Sequence, residues 1–240
     1  MGRIDFNCDM GEGIGNDALI MPFISSASIA CGYHAGDPAE MYQAVSLAVK
    51  NNVSVGAHVS YFDKENFGRT EMNLPEPEVY ELIQQQLIIL KEITDIFDLP
   101  LSHVKPHGAL YNQSAKNIRL ARTIATAIKD FDEHLILFGL SGSHSIREAG
   151  SIGIKPCNEV FADRTYQDDG SLTPRSEPHA LIDDPRIAVR QVLQMIRGGT
   201  VQTVNGKIIP IIAETICIHS DGNHAVEFAK SIHSVILSEN

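Results

Sequence analysis

The chain has 240 residues, 43% of them hydrophobic, with a mean hydropathy of −0.05, enough apolar side chain for a sizeable core and too much for a disordered chain. Its formal net charge of −11 at pH 7 argues against the basic surface that nucleic-acid binding needs and requires any anion site to be local. No run approaches the ~20 apolar residues that span a bilayer, the start Met1-Gly2-Arg3-Ile4-Asp5-Phe6-Asn7 lacks a signal-peptide core, and Phe6 stands where N-myristoylation needs Ser or Thr.

Residues 3–8 read as a first strand, loosened afterwards by Gly11, Gly13 and Gly15, with Asn16 placed to cap a short helix through residue 23. A second strand is expected over 26–30. Asp37-Pro38 opens a helix that carries Met41, Val45, Ala48 and Val49 and stops at Asn51-Asn52. A third strand over 53–57 leads into a long loop, 60–77, of the length that usually covers a site. Val79, Ile83, Leu87, Leu90, Ile93 and Phe97 recur at helical spacing. Then come a strand over 103–105, a helix over 118–128, a strand over 135–138, a helix over 143–149 and a strand over 157–161. Residues 162–178 lack apolar periodicity and read as a second active-site loop. A helix follows over 184–196, a hairpin around Asn205-Gly206 over 201–209, a last strand over 215–219 and a last helix over 225–237. This alternation has no linker, so residues 1–240 are expected to form one α/β domain. Seven βα units plus a hairpin fit a TIM-like (β/α) barrel of seven strands, or a distorted one, better than a regular eight-stranded barrel; a doubly wound sheet is the alternative.

The strands repeatedly run into reactive residues, as they do where a barrel gathers an active site at one rim. Asp9 and Glu12 stand three apart in a Gly-rich turn, able to share a proton for acid–base work or to hold a metal. His34, His58, His107 and His219 each follow a different strand, as bases poised near neutral pH or as ligands; Asp9 with His34 and His58 would form an open divalent-metal site. His103 and His107 stand four apart on a strand and its turn, roughly 13 Å from one another and too far to share an ion. Lys105 is read as a cation for a carboxylate or for developing negative charge, or else as the partner of Asp163 or Glu159. Arg164 can clamp a carboxylate or phosphate, and Arg69 and Arg175 in the long loops can do the same. Ser141 and Ser143, in Gly139-Leu140-Ser141-Gly142-Ser143, sit where a helix start suits an anion, and Gly11-x-Gly13-x-Gly15 is a weaker candidate. No P-loop, dinucleotide fingerprint or Gly-x-Ser-x-Gly elbow occurs in the sequence. Cys8, Cys31, Cys157 and Cys217 show no CxxC spacing and read as reduced cytosolic thiols. They are taken as small packed side chains, with a nucleophilic Cys31 or Cys8 as the alternative.

From Asn7-Cys8-Asp9-Met10-Gly11-Glu12-Gly13 to Ile216-Cys217-Ile218-His219-Ser220-Asp221 the chain resembles the LamB/YcsF family. Ala30-Cys31-Gly32-Tyr33-His34-Ala35-Gly36-Asp37-Pro38, Lys105-Pro106-His107-Gly108-Ala109-Leu110-Tyr111-Asn112 and Glu159-Val160-Phe161-Ala162-Asp163-Arg164 carry the resemblance most specifically. It departs at Val59, where Pro is expected, at Asn66 and Thr70, where Gly and Arg are expected, and at Ser220, where Gly is expected. The resemblance implies a barrel of the glycoside hydrolase/deacetylase type and ATP-dependent opening of 5-oxo-L-proline to L-glutamate. It also implies two partner subunits, B and C, which are expected to bind most of the ATP and its Mg²⁺. On this reading Asp9 or His58 is the base and Glu12 its acid partner. Lys105 and Arg164 bind the carboxylate or phosphate. His34, His107 and His219 orient substrate, and Asp163, Asp221, Tyr111, Ser141 and Ser143 complete its surroundings. Two other readings remain: a stand-alone metal-dependent amide hydrolase or deacetylase, and a non-catalytic subunit that holds substrate for its partners. The expected location is the cytoplasm.

Overall fold

A computed structural model describes residues 4–222 and 224–239; Met1, Gly2 and Arg3, the last heading the expected first strand, lie outside the described residues. Seven parallel strands close a barrel: β1 (Asp5–Met10), β2 (Ser26–Ala30), β3 (Ser54–Val59), β4 (His103–Pro106), β5 (Ile136–Leu140), β6 (Lys155–Phe161) and, after an excursion, a last strand over Thr215–Ile218 that pairs with both β6 and β1. The excursion is the expected hairpin, β7 (Thr200–Gln202) and β8 (Ile208–Pro210), antiparallel and outside the barrel; the closing strand is therefore β9. The seven-stranded expectation holds because the hairpin takes no place in the closed sheet.

The helices form where local chemistry starts and stops them. The expected first helix splits into α1 (Asp17–Ile20) and a 3-10 turn over Met21–Phe23, because Pro22 has no N–H to continue the α ladder. Asn16 does not cap it with its side chain; its Nδ2 donates to the Ser220 carbonyl instead, at 3.0 Å. Asp37 caps α2 (Pro38–Asn51) by accepting from Ala39 and Glu40 N–H, and Asn52 ends it in the left-handed region at φ 56°. The amphipathic α3 (Glu76–Asp95) begins one turn earlier than its apolar stripe, with Pro77 in its first turn. The sequence reading gave no helix after β4, yet α4 (Gly108–Lys116) starts there, before α5 (Ile118–Phe131). The turn-rich Pro106-His107-Gly108 run hides it, while Gly108 at φ 53° approaches Gly68 so closely that a Cβ would lie 2.4 Å from its carbonyl oxygen. Then come α6 (His144–Ile152), α7 (Pro185–Gly198), capped by Asp184, and α8 (Ala225–Glu239).

Alternation along the strands sends Phe6, Cys8, Met10, Ile29, Val55, Val104, Val160 and Ile216 into the apolar layer beneath the helices. The opposite faces fill the barrel with polar groups joined from bottom to top. At the bottom Asp5 accepts from the Ser25, Ser26 and Thr215 hydroxyls, each at 2.6 Å. Above it Asn7 Nδ2 donates to Glu159 and to Thr215, and His103 contacts the Ser28 hydroxyl at 3.1 Å and stacks on Phe138. Burial lowers the His103 ring to about 4. His103 thus belongs to the floor of the barrel, well below His107, as their strand spacing requires. The cysteines are free, with Cys8, Cys31 and Cys217 buried; burial pushes the Cys31 thiol up to about 12 and the Cys8 thiol also upward. They pack rather than react.

Two outcomes follow from the floor. A Cβ on Gly56 would stand 2.3 Å from the His103 ring, so Gly56→Ala should destabilise the fold by about 1–3 kcal/mol, measured by urea unfolding. An unfolded histidine takes its proton near pH 6.5, whereas folded His103 takes it only near pH 4. Its contribution is therefore fully present above pH 6.5 and lost as pH falls to about 4. Relative to a His103→Gln variant, the wild type should lose about 3 kcal/mol across that window.

Candidate active site

At the carboxyl ends of the strands the polar column opens into a cavity of about 390 Å³, lined among others by Asp9, His58, Arg69, Lys105, His107, Tyr111, Arg164, Arg175 and His219. Lys105, 2% exposed, is its electrostatic anchor. Its Nζ lies 2.7 Å from Asp9 Oδ1, 2.8 Å from Glu159 Oε1, 3.2 Å from Asn7 Oδ1 and 3.1 Å from Cys217 Sγ. Burial alone would strip the ammonium of its proton; the Asp9 and Glu159 carboxylates and the Cys217 sulfur reverse this and hold it well above the usual lysine range. Burial likewise opposes ionisation of Asp9, but the charges of His58 and Lys105 outweigh it, and the carboxyl is held well below the usual range.

The histidines can be assigned protons from their partners. His58 Nδ1 lies 3.0 Å from the Lys105 carbonyl and His107 Nε2 2.9 Å from the Phe67 carbonyl. A carbonyl only accepts, so both nitrogens carry hydrogen. The remaining two, His58 Nε2 and His107 Nδ1, are 2.8 Å apart and need one proton between them. The pair therefore carries one positive charge. Burial above all holds His107 well below the usual range, and His58 Nε2 also lies 3.2 Å from Asp9 Oδ2. The Ser60 hydroxyl donates to the Tyr61 carbonyl and so accepts from His34 Nδ1 at 2.8 Å. Burial holds His34 well below the usual range, so its Nε2 is an acceptor, 3.3 Å from Glu12 Oε1. Burial first, then the Asp9 and Asp221 charges, pushes the Glu12 carboxyl well above the usual range. Glu12 Oε1 also lies 3.9 Å from His58 Nε2 and 3.7 Å from His107 Nδ1, and the two carboxyls of the Gly-rich turn are shifted in opposite directions.

Glu12, His34, His58 and His107 offer four donor atoms, all within 4.8 Å of one another. Three imidazoles and a carboxylate suit zinc or a similar divalent ion; to hold one, the protons on Glu12 and between His58 and His107 must leave. This grouping differs from the expected Asp9, His34 and His58: Asp9, held by Lys105, clusters instead with Cys217 and His219. At the opposite wall, Asp163 Oδ2 accepts from His219 Nδ1 at 2.8 Å and from its backbone N–H at 3.0 Å, and His219 stacks on Phe161. Tyr111 lines the cavity, and burial with the neighbouring Glu159 carboxylate pushes its hydroxyl well above the usual range.

Other expected residues do different work. Arg164 is buried and donates to the Thr173 and Ala180 carbonyls at 2.6 and 3.3 Å, pinning the loop after β6 over the cavity. Asp221 pairs with Arg69 at 3.1 Å and Arg175 at 3.6 Å. Ser141 Oγ accepts from Ile212 N–H, Gly142 N–H donates to Asn158, and Ser143 N–H donates to the Leu140 carbonyl. Ile212 and Asn158 from outside thus tie down that loop, the Ser143 hydroxyl is buried without a hydrogen-bond partner among the described residues, and neither serine lines the cavity. Gly11 N–H is likewise taken by Asp17, at 2.8 Å. Glu159 is the residue sequence reasoning left outside the site, having weighed it only as a partner for Lys105; that lesser reading is the one the geometry realises. The departures from the family pattern are built in. Asn66 Nδ2 and Thr70 N–H both donate to Asp63, and the Val59 carbonyl accepts from His107 N–H.

A closed parallel barrel with acid, base and cation gathered at the carboxyl rim defines a β/α-barrel enzyme. The chain belongs to the LamB/YcsF family, whose model matches residues 4–240. It is 46% identical to the 5-oxoprolinase A subunit of Brevibacillus brevis over 98% of this chain and 95% of that protein. It is also 46% identical to the 5-oxoprolinase A subunit of Neisseria meningitidis serogroup C, over 99% and 97%. The crystal structure of a lactam utilization protein from Thermus thermophilus superposes with a TM-score of 0.91 at 39% identity, covering 98% of this chain and 96% of that one. A family 4 carbohydrate esterase from Streptomyces lividans shares the fold alone, with a TM-score of 0.51 at 12% identity, covering 99% of this chain and 89% of that one.

Removing Lys105 leaves Asp9 and Glu159 buried without their cation. Lys105→Met should cost about 3–5 kcal/mol in urea unfolding, and adding Glu159→Gln should recover part of the loss.

Proposed function

We propose that residues 1–240 act as one β/α-barrel unit, the lactam-opening component of an ATP-dependent 5-oxoprolinase that converts 5-oxo-L-proline to L-glutamate. The observation that carries this reading is the buried Asp9–Lys105–Glu159 cluster beside Glu12 and His58, in a cavity sized for a small ligand. The names of the 46% identical relatives support the substrate, and their naming as one lettered component of 5-oxoprolinase supports assembly with subunits B and C. ATP and its Mg²⁺ are assigned largely to those partners, in keeping with a sequence that holds no P-loop.

A five-membered lactam resists water. Transfer of the ATP γ-phosphoryl group to its amide oxygen makes that oxygen a leaving group. Asp9, an ionised carboxylate at the cavity wall, accepts a proton from water as the water oxygen bonds to the ring carbon. The ring C–N bond then breaks, the departing nitrogen taking a proton from the Glu12, His58 and His107 cluster while the water-derived hydroxyl loses its own, which leaves an acyl phosphate; a second water adds at that carbon and phosphate leaves, giving the new carboxylate of glutamate. Lys105 keeps Asp9 charged rather than meeting substrate, and Asp163 fixes His219 with its other nitrogen available to the ligand. No nucleic-acid or membrane partner is assigned: among the described residues no helix is long and apolar enough to cross a membrane. The free cysteines suit the cytoplasm.

The quartet of Glu12, His34, His58 and His107 favours one second reading, a metal-dependent amide hydrolase or deacetylase acting alone. There the four residues would hold the ion, which supplies a Lewis acid. Stoichiometric metal in the purified chain with ATP-independent hydrolysis would establish it. For the main reading, Asp9→Asn in the complex reconstituted with subunits B and C should lower glutamate release by about 10²–10⁴-fold with unchanged circular dichroism. Near-normal turnover removes Asp9 from the chemistry, and glutamate release by the partners without this chain reduces it to a substrate-holding subunit.

A further inference from the structure

The cavity is electrically polarised along its length. At the inner end opposite charges meet at contact distance, with Lys105 on Asp9 and Glu159, and His58 on Asp9. The buried cation of that end is already matched by carboxylates, so a ligand carboxylate finds no free cation there. The outer end is lined by Arg69, Lys116, Arg164 and Arg175 against the single lining carboxylate Glu71. Arg164 is spent on the Thr173 and Ala180 carbonyls. Arg69 and Arg175 come from different long loops and converge on one carboxylate, Asp221, which stands outside the cavity lining.

The loop that carries Arg69 is held in place before any ligand arrives. Asp63 accepts from Asn66 and Thr70, Phe67 gives its carbonyl to His107, and the Arg69 guanidinium lies 5.0 Å above the Phe67 ring. Arg175 follows Thr173, whose carbonyl Arg164 holds. Two guanidiniums on braced loops, 41% and 26% exposed in their side chains and facing a cavity, are prepared for an oxyanion. Asp221, 29% exposed, occupies them from outside.

We propose that Arg69 and Arg175 clamp the carboxylate of the substrate, with Asp221 as the counter-ion that the ligand replaces. The assignment rests on the 5-oxoprolinase reading and deepens it. The lactam ring lies inward, toward Asp9 and Tyr111, and the carboxylate outward, which joins the loop after β3 to the loop after β6 across the mouth. Specificity for an acid over its neutral analogues then comes from the loops, apart from the bond-breaking groups on the strands.

The test uses the reconstituted complex, measuring KM and kcat for 5-oxo-L-proline and inhibition by its uncharged carboxamide and by inorganic phosphate. Arg69→Gln and Arg175→Gln should each raise KM about 10- to 100-fold, change kcat less than about threefold, and leave inhibition by the carboxamide unaltered. Asp221→Asn should leave KM equal or lower it. Arg186→Gln, which removes an exposed guanidinium paired with Asp184, is the control and should behave as wild type. Unchanged KM in both arginine variants overturns the clamp. So does carboxamide inhibition that weakens in step with KM, since the arginines would then serve a part both ligands share. Loss of phosphate inhibition without a rise in KM transfers the arginines to a phosphoryl group and overturns the carboxylate assignment. A rise in KM for Asp221→Asn matching the arginine variants refutes its role as exchanging counter-ion. A variant that misfolds by circular dichroism is replaced by Arg175→Lys, which should keep the fold and still raise KM. Absence of glutamate release by the wild-type complex would instead refute the functional reading beneath.

Discussion

A lysine ammonium sealed inside a barrel is the constraint that the rest of this molecule answers. Lys105 sits at 2% exposure, where an unpaired charge would cost several kcal/mol. The fold answers with Asp9 from β1 and Glu159 from β6, at 2.7 and 2.8 Å. Those carboxylates in turn need hydrogen bonds, supplied by Asn7 and His58. His58 then leans on His107, and His107 on the Phe67 carbonyl of the covering loop. A chain of polar dependencies thus runs from the strand interior to the lid-forming segment. Each link is satisfied only while the strands keep their register.

The same network shifts two neighbouring carboxyl groups in opposite directions. Asp9 lies against Lys105 and His58 and is held well below the usual carboxylate range; Glu12, buried and facing the Asp9 and Asp221 charges, is pushed well above it. Environment, rather than residue type, makes the difference. The balanced inner end and the arginine-rich outer end then give the cavity a direction, neutral inside and cationic outside, to which the chemistry of a cyclic amide acid corresponds. The internal charge balance also explains how a chain of net charge −11 can present a local anion site: the surplus cations stand on loops at the mouth, apart from the acidic bulk surface.

Much of this was legible in the sequence. The apolar-to-reactive transitions at Asp9, His58, Lys105 and His219 mark strand ends because a strand alternates its faces and a barrel gathers its carboxyl ends. Capping residues such as Asp37 and Asp184 fix helix starts by local hydrogen bonds. Less legible was α4, hidden behind Pro106 and Gly108, since a helix that begins at a close backbone approach carries no propensity signal before the approach is known. The loop at Ser141 and Ser143 looked like an anion cradle because sequence cannot reveal that Asn158 and Ile212 come to fill it.

The sequence by itself determined the order of the strands and most helices and the set of reactive side chains, which depend on contacts within a few residues; closure of the seven strands, favoured over a doubly wound sheet, rests on the pairing of β1 with β9. The tertiary structure decided the partners. Lys105 finds Asp9 across 96 residues, and Asp163 finds His219 across 56. Arg164 turns to the loop backbone while Arg69 and Arg175 turn to the mouth. Whether a charge is neutralised, and by which neighbour, depends on distances set only when the sheet closes. Those distances separate a residue that poises a carboxylate from one that meets a ligand.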